Sequence, residues 1–213
     1  MYIFWYGESC FKIQNSDKTI LIDPEAPRKA GLRGPNFSAK GGSAEGGKSN
    51  LVLLSNREEE KEIKKKIGEA SFLIAGPGEY EIKGVFIEGI PAGKEKKQTV
   101  IYRIVFEEVS FGFLGLGVDC LEDEQIEKIG VIDVLFAPVS ERVEEIINSI
   151  EPKIVIPHSY QVPGLKVKRE TKEKFLKKLG KKDIKALEKF SLNKRDLLRD
   201  SIQEEVIILE ART

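Results

Sequence analysis

Short apolar runs separated by turn residues dominate the first half of the chain. Tyr2–Tyr6, Cys10–Ile13 and Thr19–Ile22 are rich in aromatic and β-branched residues. Gly7-Glu8-Ser9 and Asn15-Ser16-Asp17 lie between them, so the three runs predict an antiparallel meander. Asp23-Pro24 ends it. Gly31–Asn50 is dense in Gly, Ser and Lys, which predicts a flexible loop or disordered insertion. Leu51–Leu54 predicts a buried strand, Glu58–Ile67 a helix with Ile63 and Ile67 one turn apart, and Phe72–Ala75 another strand. Gly76-Pro77-Gly78 marks a sharp turn. Glu79–Ile82 with Val85–Ile87, and Thr99–Phe106 with Val109–Leu114, read as hairpins.

The pattern then changes. Helices are expected over Asp123–Ile129, Glu141–Ile150 and Lys166–Leu179, and strands over Val134–Ala137, Ile154–Ile156 and Glu205–Leu209. Val143, Ile146, Ile147 and Ile150 share one helical face. Val167, Phe175, Leu176 and Leu179 form the stripe of the last helix. Strand-rich segments followed by alternating strands and helices predict a layered α/β sandwich, one domain over residues 1–213.

Composition narrows the function classes. With 35 basic and 35 acidic residues, no long-range field draws the chain to nucleic acid or to a membrane. The basic run Lys166–Lys182 is interrupted by Glu170 and Glu173 and reads as a solvated helix face. No run reaches the ~18 apolar residues that a membrane span needs. The first residues lack the features of a signal peptide. Cys10 and Cys120 are expected as reduced thiols. A cytoplasmic location is therefore expected.

Taken in order, WYGESCFKI, TILIDP, VLLS, GPGEYEIKGVFIEGIPA, FLGLGVD, DVLFAPV and KIVIPHSYQVPG resemble the metallo-β-lactamase fold superfamily. Within it they are similar to the small bacterial Zn-dependent hydrolase-like proteins of the ascorbate-6-phosphate lactonase branch. The resemblance implies an αββα four-layer sandwich, homo-oligomerisation and a zinc site. That site uses a His-x-His-x-Asp-His motif, whose imidazoles and carboxylate hold Zn²⁺ at about 2.0–2.2 Å and lower the pKa of a bound water.

This chain has one histidine and cannot supply those imidazoles. On the motif positions stand Asn56, Glu58, Glu60 and Lys61. Gly93-Lys94-Glu95 follows the GIPA strand where another ligand is expected, and the bridging aspartate's turn reads Leu114-Gly115-Leu116-Gly117-Val118-Asp119. In the last ligand turn Ser159 takes the slot, with His158 one place early. Glu8 stands where the family usually has His or Gln. These are degenerate ligand positions: no catalytic residue, zinc or other cofactor is assigned.

Two readings stay open. One is a pseudoenzyme with a binding or assembly role and an unspecified small-molecule or protein partner. The other is a hydrolase of lactones, esters or phosphodiesters whose metal site is rebuilt from Glu58, Glu60, Asp119 and His158. Against the second, Glu58–Glu60 suit the acidic first turn of a helix, and a lone histidine after a strand is commonly structural. Lys61 is a candidate for a tethered cation replacing the metal's charge. Asp23 is read as a scaffold residue, and Cys10 as a buried thiol.

Overall fold

The computed structural model describes residues 1–36, 49–67, 71–93, 99–198 and 205–212. Strands β1 (Tyr2–Trp5), β2 (Phe11–Gln14) and β3 (Lys18–Ile22) form the expected antiparallel meander. Its register pairs Ile3 with Ile13, Trp5 with Phe11 and Phe11 with Ile22. Side chains alternate faces along a strand. Hence these residues all enter the main core, whereas Phe4, Tyr6, Cys10 and Leu21 form a separate cluster.

After the single turn α1 (Ala26–Lys29), β4 (Ser49–Leu53) pairs parallel with β3. Ser49 and Asn50 thus belong to a strand and not to the expected loop, because they extend the ladder opposite Lys18 and Thr19. The loop expectation otherwise falls largely on residues 37–48, outside the described residues. Helix α2 (Glu60–Lys66) returns the chain to β5 (Ser71–Ile74), again parallel. Ile63 of α2 packs on Val52 and Leu54, covering the outer face of this sheet.

The second sheet contains β6 (Gly78–Ile82), β7 (Val85–Ala92), β8 (Thr99–Phe106), β9 (Val109–Phe113), β10 (Val134–Pro138) and β11 (Ile154–His158), with α3 (Asp123–Ile129) and α4 (Val143–Ile150) in its connections. Strand β7 runs five residues past the expected Ile87, because every residue to Ala92 finds a partner on β8. Helix α5 (Lys172–Lys178) and strand β12 (Phe190–Ser191) follow, and β13 (Glu205–Val206) closes the set. The first sheet has the order β12-β1-β2-β3-β4-β5 and the second β13-β11-β10-β9-β8-β7-β6.

The inner faces of the two sheets share one core. Phe11 meets Phe136 across it with ring centroids 4.4 Å apart. The Tyr102 hydroxyl donates to the Leu54 carbonyl at 2.7 Å, tying the sheets together where a bare hydroxyl would cost stability. Val143, Ile146, Ile147 and Ile150 are all buried, as their spacing predicts.

Helix α5 is shorter than the expected Lys166–Leu179. Thr171 caps it by accepting the Lys174 N–H at 3.4 Å, so the helix begins there. The preceding residues are drawn elsewhere. Lys166 N–H donates to the Ala30 carbonyl, and Arg169 N–H to the Gln161 side chain. Val167 therefore leaves the helical stripe and lines a cleft.

Candidate functional site

The turn after β1, the ends of β3 and β4, the start of β8 and the segment around Arg169 converge on one side of the sandwich. They enclose a cleft of about 730 Å³. Ligands of open α/β sheets commonly sit beyond the carboxyl ends of the strands, where side chains from several loops meet. Glu8, Asp23 and Ser159 all have positive φ, at 48°, 45° and 56°. Non-glycine residues rarely adopt this region, and such strain concentrates at functional sites.

Asp23 is buried. It accepts from the Ser55 N–H at 2.7 Å and from the Ser55 hydroxyl at 2.6 Å. Burial pushes its carboxyl up to about 6, against the hydrogen bonds from Ser55 and Ser9, with Glu59 adding a further upward push. Thr99 Oγ1–H donates to the Ser55 carbonyl at 3.1 Å and fixes the same turn from the second sheet. Gly115 is required there. A Cβ on it would lie 2.5 Å from Thr99 Oγ1 and 2.8 Å from Ser55 Cβ.

Two ion pairs hold the wall. Arg169 Nη2–H donates to Glu8 Oε2 at 2.6 Å, and its Nε–H reaches both carboxylate oxygens at 3.2 Å. Glu8 is 3% exposed at its side chain, so the fork of the guanidinium compensates a buried charge. Trp5 Nε1–H anchors the same turn by donating to the Glu8 carbonyl at 2.8 Å. Opposite, Lys29 Nζ donates to Glu59 Oε1 at 2.7 Å. Glu59 Oε2 is buried and has no hydrogen-bond partner among the described residues.

The motif positions scatter. Asn56 is exposed, and its Oδ1 accepts the Glu58 N–H at 3.0 Å, starting the turn Arg57–Glu59. Glu58 is exposed at the cleft rim. Glu60 bonds Lys64 at 2.5 Å and Arg57 at 3.6 Å along the helix surface. Lys61 is exposed on α2 and does not line the cleft, where Lys29, Arg57 and Arg169 carry the positive charge. Asp119 is exposed, with Arg142 feeling its charge. Lys94 and Glu95 lie outside the described residues.

His158 is fully buried. Its ring stacks on Phe113 at 5.7 Å with 6° between planes, and Phe11 meets it edge-on. Nε2 lies 3.0 Å from the Leu114 carbonyl, which can only accept, so Nε2 carries the proton. Nδ1 then accepts from the Ser159 hydroxyl at 2.9 Å. Both nitrogens are occupied, and burial lowers the imidazole to about 3. The structure therefore does not bring Glu58, Glu60, Asp119 and His158 together. His158 is sealed in the core, Glu60 is half-buried along the surface of α2 and Asp119 is exposed. Among the described residues no three of His, Cys, Asp and Glu are grouped to hold a metal ion. Cys10 is buried, and burial pushes its thiol well above the usual range, which fits a structural thiol.

Sequence reading missed Glu59, Lys29, Arg169 and Thr99. Only Glu59 left a signal: it precedes Ile63 by one helical turn and so shares the buried face of α2. Lys29 meets Glu59 across 30 residues and Arg169 meets Glu8 across 161, separations that local pattern does not encode.

Residues 2–159 match the beta-lactamase superfamily domain, and the chain belongs to that family. No curated protein shows significant similarity to the chain. A Thermotoga maritima protein described as a proposed Zn-dependent hydrolase of the metallo-β-lactamase superfamily is 24% identical, with a TM-score of 0.75 over 98% of each chain. Igni18, a metallo hydrolase from the hyperthermophilic archaeon Ignicoccus hospitalis, is 15% identical, with a TM-score of 0.57 over 90% of this chain and 99% of its own. YhfI, a metallo-β-lactamase fold protein from Bacillus subtilis, is 10% identical, with a TM-score of 0.52 over 98% and 96%. At these identities the likeness is one of fold. Among the described residues no helix is long and apolar enough to cross a membrane.

The cleft's donors do not fit the zinc that this family implies. Glu8, Asp23 and Glu59 face inward, but Arg169, the two serines and Lys29 already hold them. A dication between them would meet an ammonium and a guanidinium, and its imidazole ligands are absent from the sequence.

Proposed function

We propose that this chain is a non-hydrolytic member of the metallo-β-lactamase fold, a pseudoenzyme whose cleft serves binding. The observation that carries the reading is that ion pairs fill the cleft wall. Glu8–Arg169 and Glu59–Lys29 occupy the cleft wall, and the single imidazole is committed to Leu114 and Ser159. A metal hydrolase needs lone pairs converging on one open point so that a bound water is activated. Here the one in-plane lone pair of His158, on Nδ1, accepts from the Ser159 hydroxyl inside an aromatic core.

A binding role fits what remains. The cleft is large enough for a small molecule, has polar groups on its floor and carries apolar patches at Leu116 and Val167. The test is turnover of a phosphodiester, an ester and a lactone with zinc or manganese supplied. The expected result is no rate above that of buffer with metal. Turnover that Glu58→Ala abolishes would restore the hydrolase reading.

A further inference from the structure

We infer that residues 161–170 form a lid on the cleft, latched shut by the Arg169–Glu8 ion pair. The inference rests on the binding reading above and gives that cleft its means of opening.

The loop joins β11 to α5, and the chain is fixed on either side of it. Before it, Tyr160 is buried and its hydroxyl donates to the Leu209 carbonyl at 2.9 Å. After it, Thr171 caps α5. Between them none of the residues is buried, so little apolar area holds the loop down. Segments with few buried apolar contacts open at low free-energy cost, and lids are drawn from them.

The loop is braced within itself. Gln161 N–H donates to the Glu170 carbonyl at 2.8 Å and Arg169 N–H to Gln161 Oε1 at 3.2 Å, which closes the neck. At the tip, Leu165 N–H donates to the Val162 carbonyl at 3.3 Å, and Gly164 has φ 83°. Pro163 followed by a positive-φ glycine is the signature of a type II turn. These bonds survive when the loop swings as one body about its neck.

Across the cleft, among the described residues, two ties hold the loop. Lys166 N–H donates to the Ala30 carbonyl at 2.9 Å. Arg169 binds the Glu8 carboxylate through Nε and Nη2. Ala30, Glu8, Val167 and Arg169 all line the cleft. Opening breaks both ties, widens the cleft and uncovers Glu8. Arg169 lets go through its side chain alone, so its backbone bond in the neck remains. Water then solvates the separated charges, which offsets part of the lost pairing.

Native-state hydrogen exchange of the full chain, followed amide by amide by NMR, tests the lid. Lys166 N–H on the Ala30 carbonyl is compared with Ile154 N–H on the Asp133 carbonyl, both at 2.9 Å. The expected result is that Lys166 exchanges roughly a hundredfold or more faster than Ile154, at a rate nearly independent of low denaturant. Arg169→Ala should speed exchange at Lys166 roughly tenfold or more, because the latch is broken in the open form. Arg169→Lys should fall between, since an ammonium lacks the guanidinium fork. Should Arg169→Ala fail to fold, Glu8→Gln decides instead and should speed exchange at Lys166 severalfold. Exchange of Lys166 at the Ile154 rate would overturn the inference, as would a Lys166 rate unchanged in the folded variants. Metal-dependent turnover defeats the non-hydrolytic reading alone, and slow exchange at Lys166 without turnover defeats the lid alone.

Discussion

The two sheets meet the cleft end of the sandwich in opposite ways. On the first sheet's side, the turns holding Glu8, Asp23, Ser55 and Glu59 keep an open, polar wall whose charges are paired across long sequence distances. On the second sheet's side, His158 and Ser159 close on each other and on Leu114, and Phe113 and Phe11 seal them from water. Chemistry follows burial: the titratable groups best suited to metal binding by type are not those with access. An imidazole inside an aromatic core acts as a packing group with two hydrogen bonds. The carboxylates beside the cleft are held instead by Arg169, Lys29 and Ser55.

Breaking the closed side should have the largest effect. His158→Ala leaves a cavity and strips the Leu114 carbonyl and the Ser159 hydroxyl of their partner, which should cost about 3–5 kcal/mol in denaturant unfolding. The same residue sets a pH signature. Its folded imidazole lies at about 3, below the unfolded value of 6.5, so the unfolded state binds more protons between them. Its contribution is complete above 6.5 and is lost as pH falls towards 3. Asp23 runs the other way: with its folded carboxyl at about 6 against 3.8 unfolded, its contribution is present below 3.8 and lost as pH rises through 6. The Asp23 effect is common to wild type and His158→Gln. The stability gap between those two proteins should therefore shrink as the pH is lowered from 6.5, and a constant gap would mean that His158 is not buried neutral.

The open side should respond less. Arg169→Ala leaves the Glu8 carboxylate buried without its guanidinium and should cost about 2–3 kcal/mol, less than a fully buried pair because Arg169 is itself 27% exposed. Glu8→Gln in the Arg169→Ala background should recover part of that loss, measured as a double-mutant cycle. Gly115→Ala tests the close approach of the sheets at the cleft floor and should cost about 1–3 kcal/mol. Lys61→Ala should change stability by less than about 0.5 kcal/mol, because the side chain is exposed on α2. A larger loss would return Lys61 to the site.

Much of the fold was legible because period-two alternation and one helical stripe dictate which residues go inside. The meander from Tyr2 to Ile22 and the helix carrying Val143, Ile146, Ile147 and Ile150 follow directly from spacing. Helix α5 was overextended because Lys166–Arg169 carry helix-compatible residues, while tertiary bonds to Ala30, Gln161 and Glu8 pull them into the cleft wall. The site was legible mainly by what it lacks. A single histidine and an Asn-x-Glu-x-Glu-Lys run are visible in the sequence; the ion-pair partners Lys29 and Arg169 are not, since they come from distant segments. The motif alignment even fixed attention on Glu58 and Glu60, while the turn that Asn56 starts carries Glu59 inward.

The proposed absence of a zinc centre rests on the ion pairs that fill the cleft wall and on the buried His158 imidazole. Elemental analysis of the full chain, purified without chelator and dialysed against zinc-containing and then zinc-free buffer, tests it most directly. The account predicts zinc far below one equivalent per chain. One tightly retained equivalent, lost in Glu8→Gln or Glu59→Gln, would contradict it.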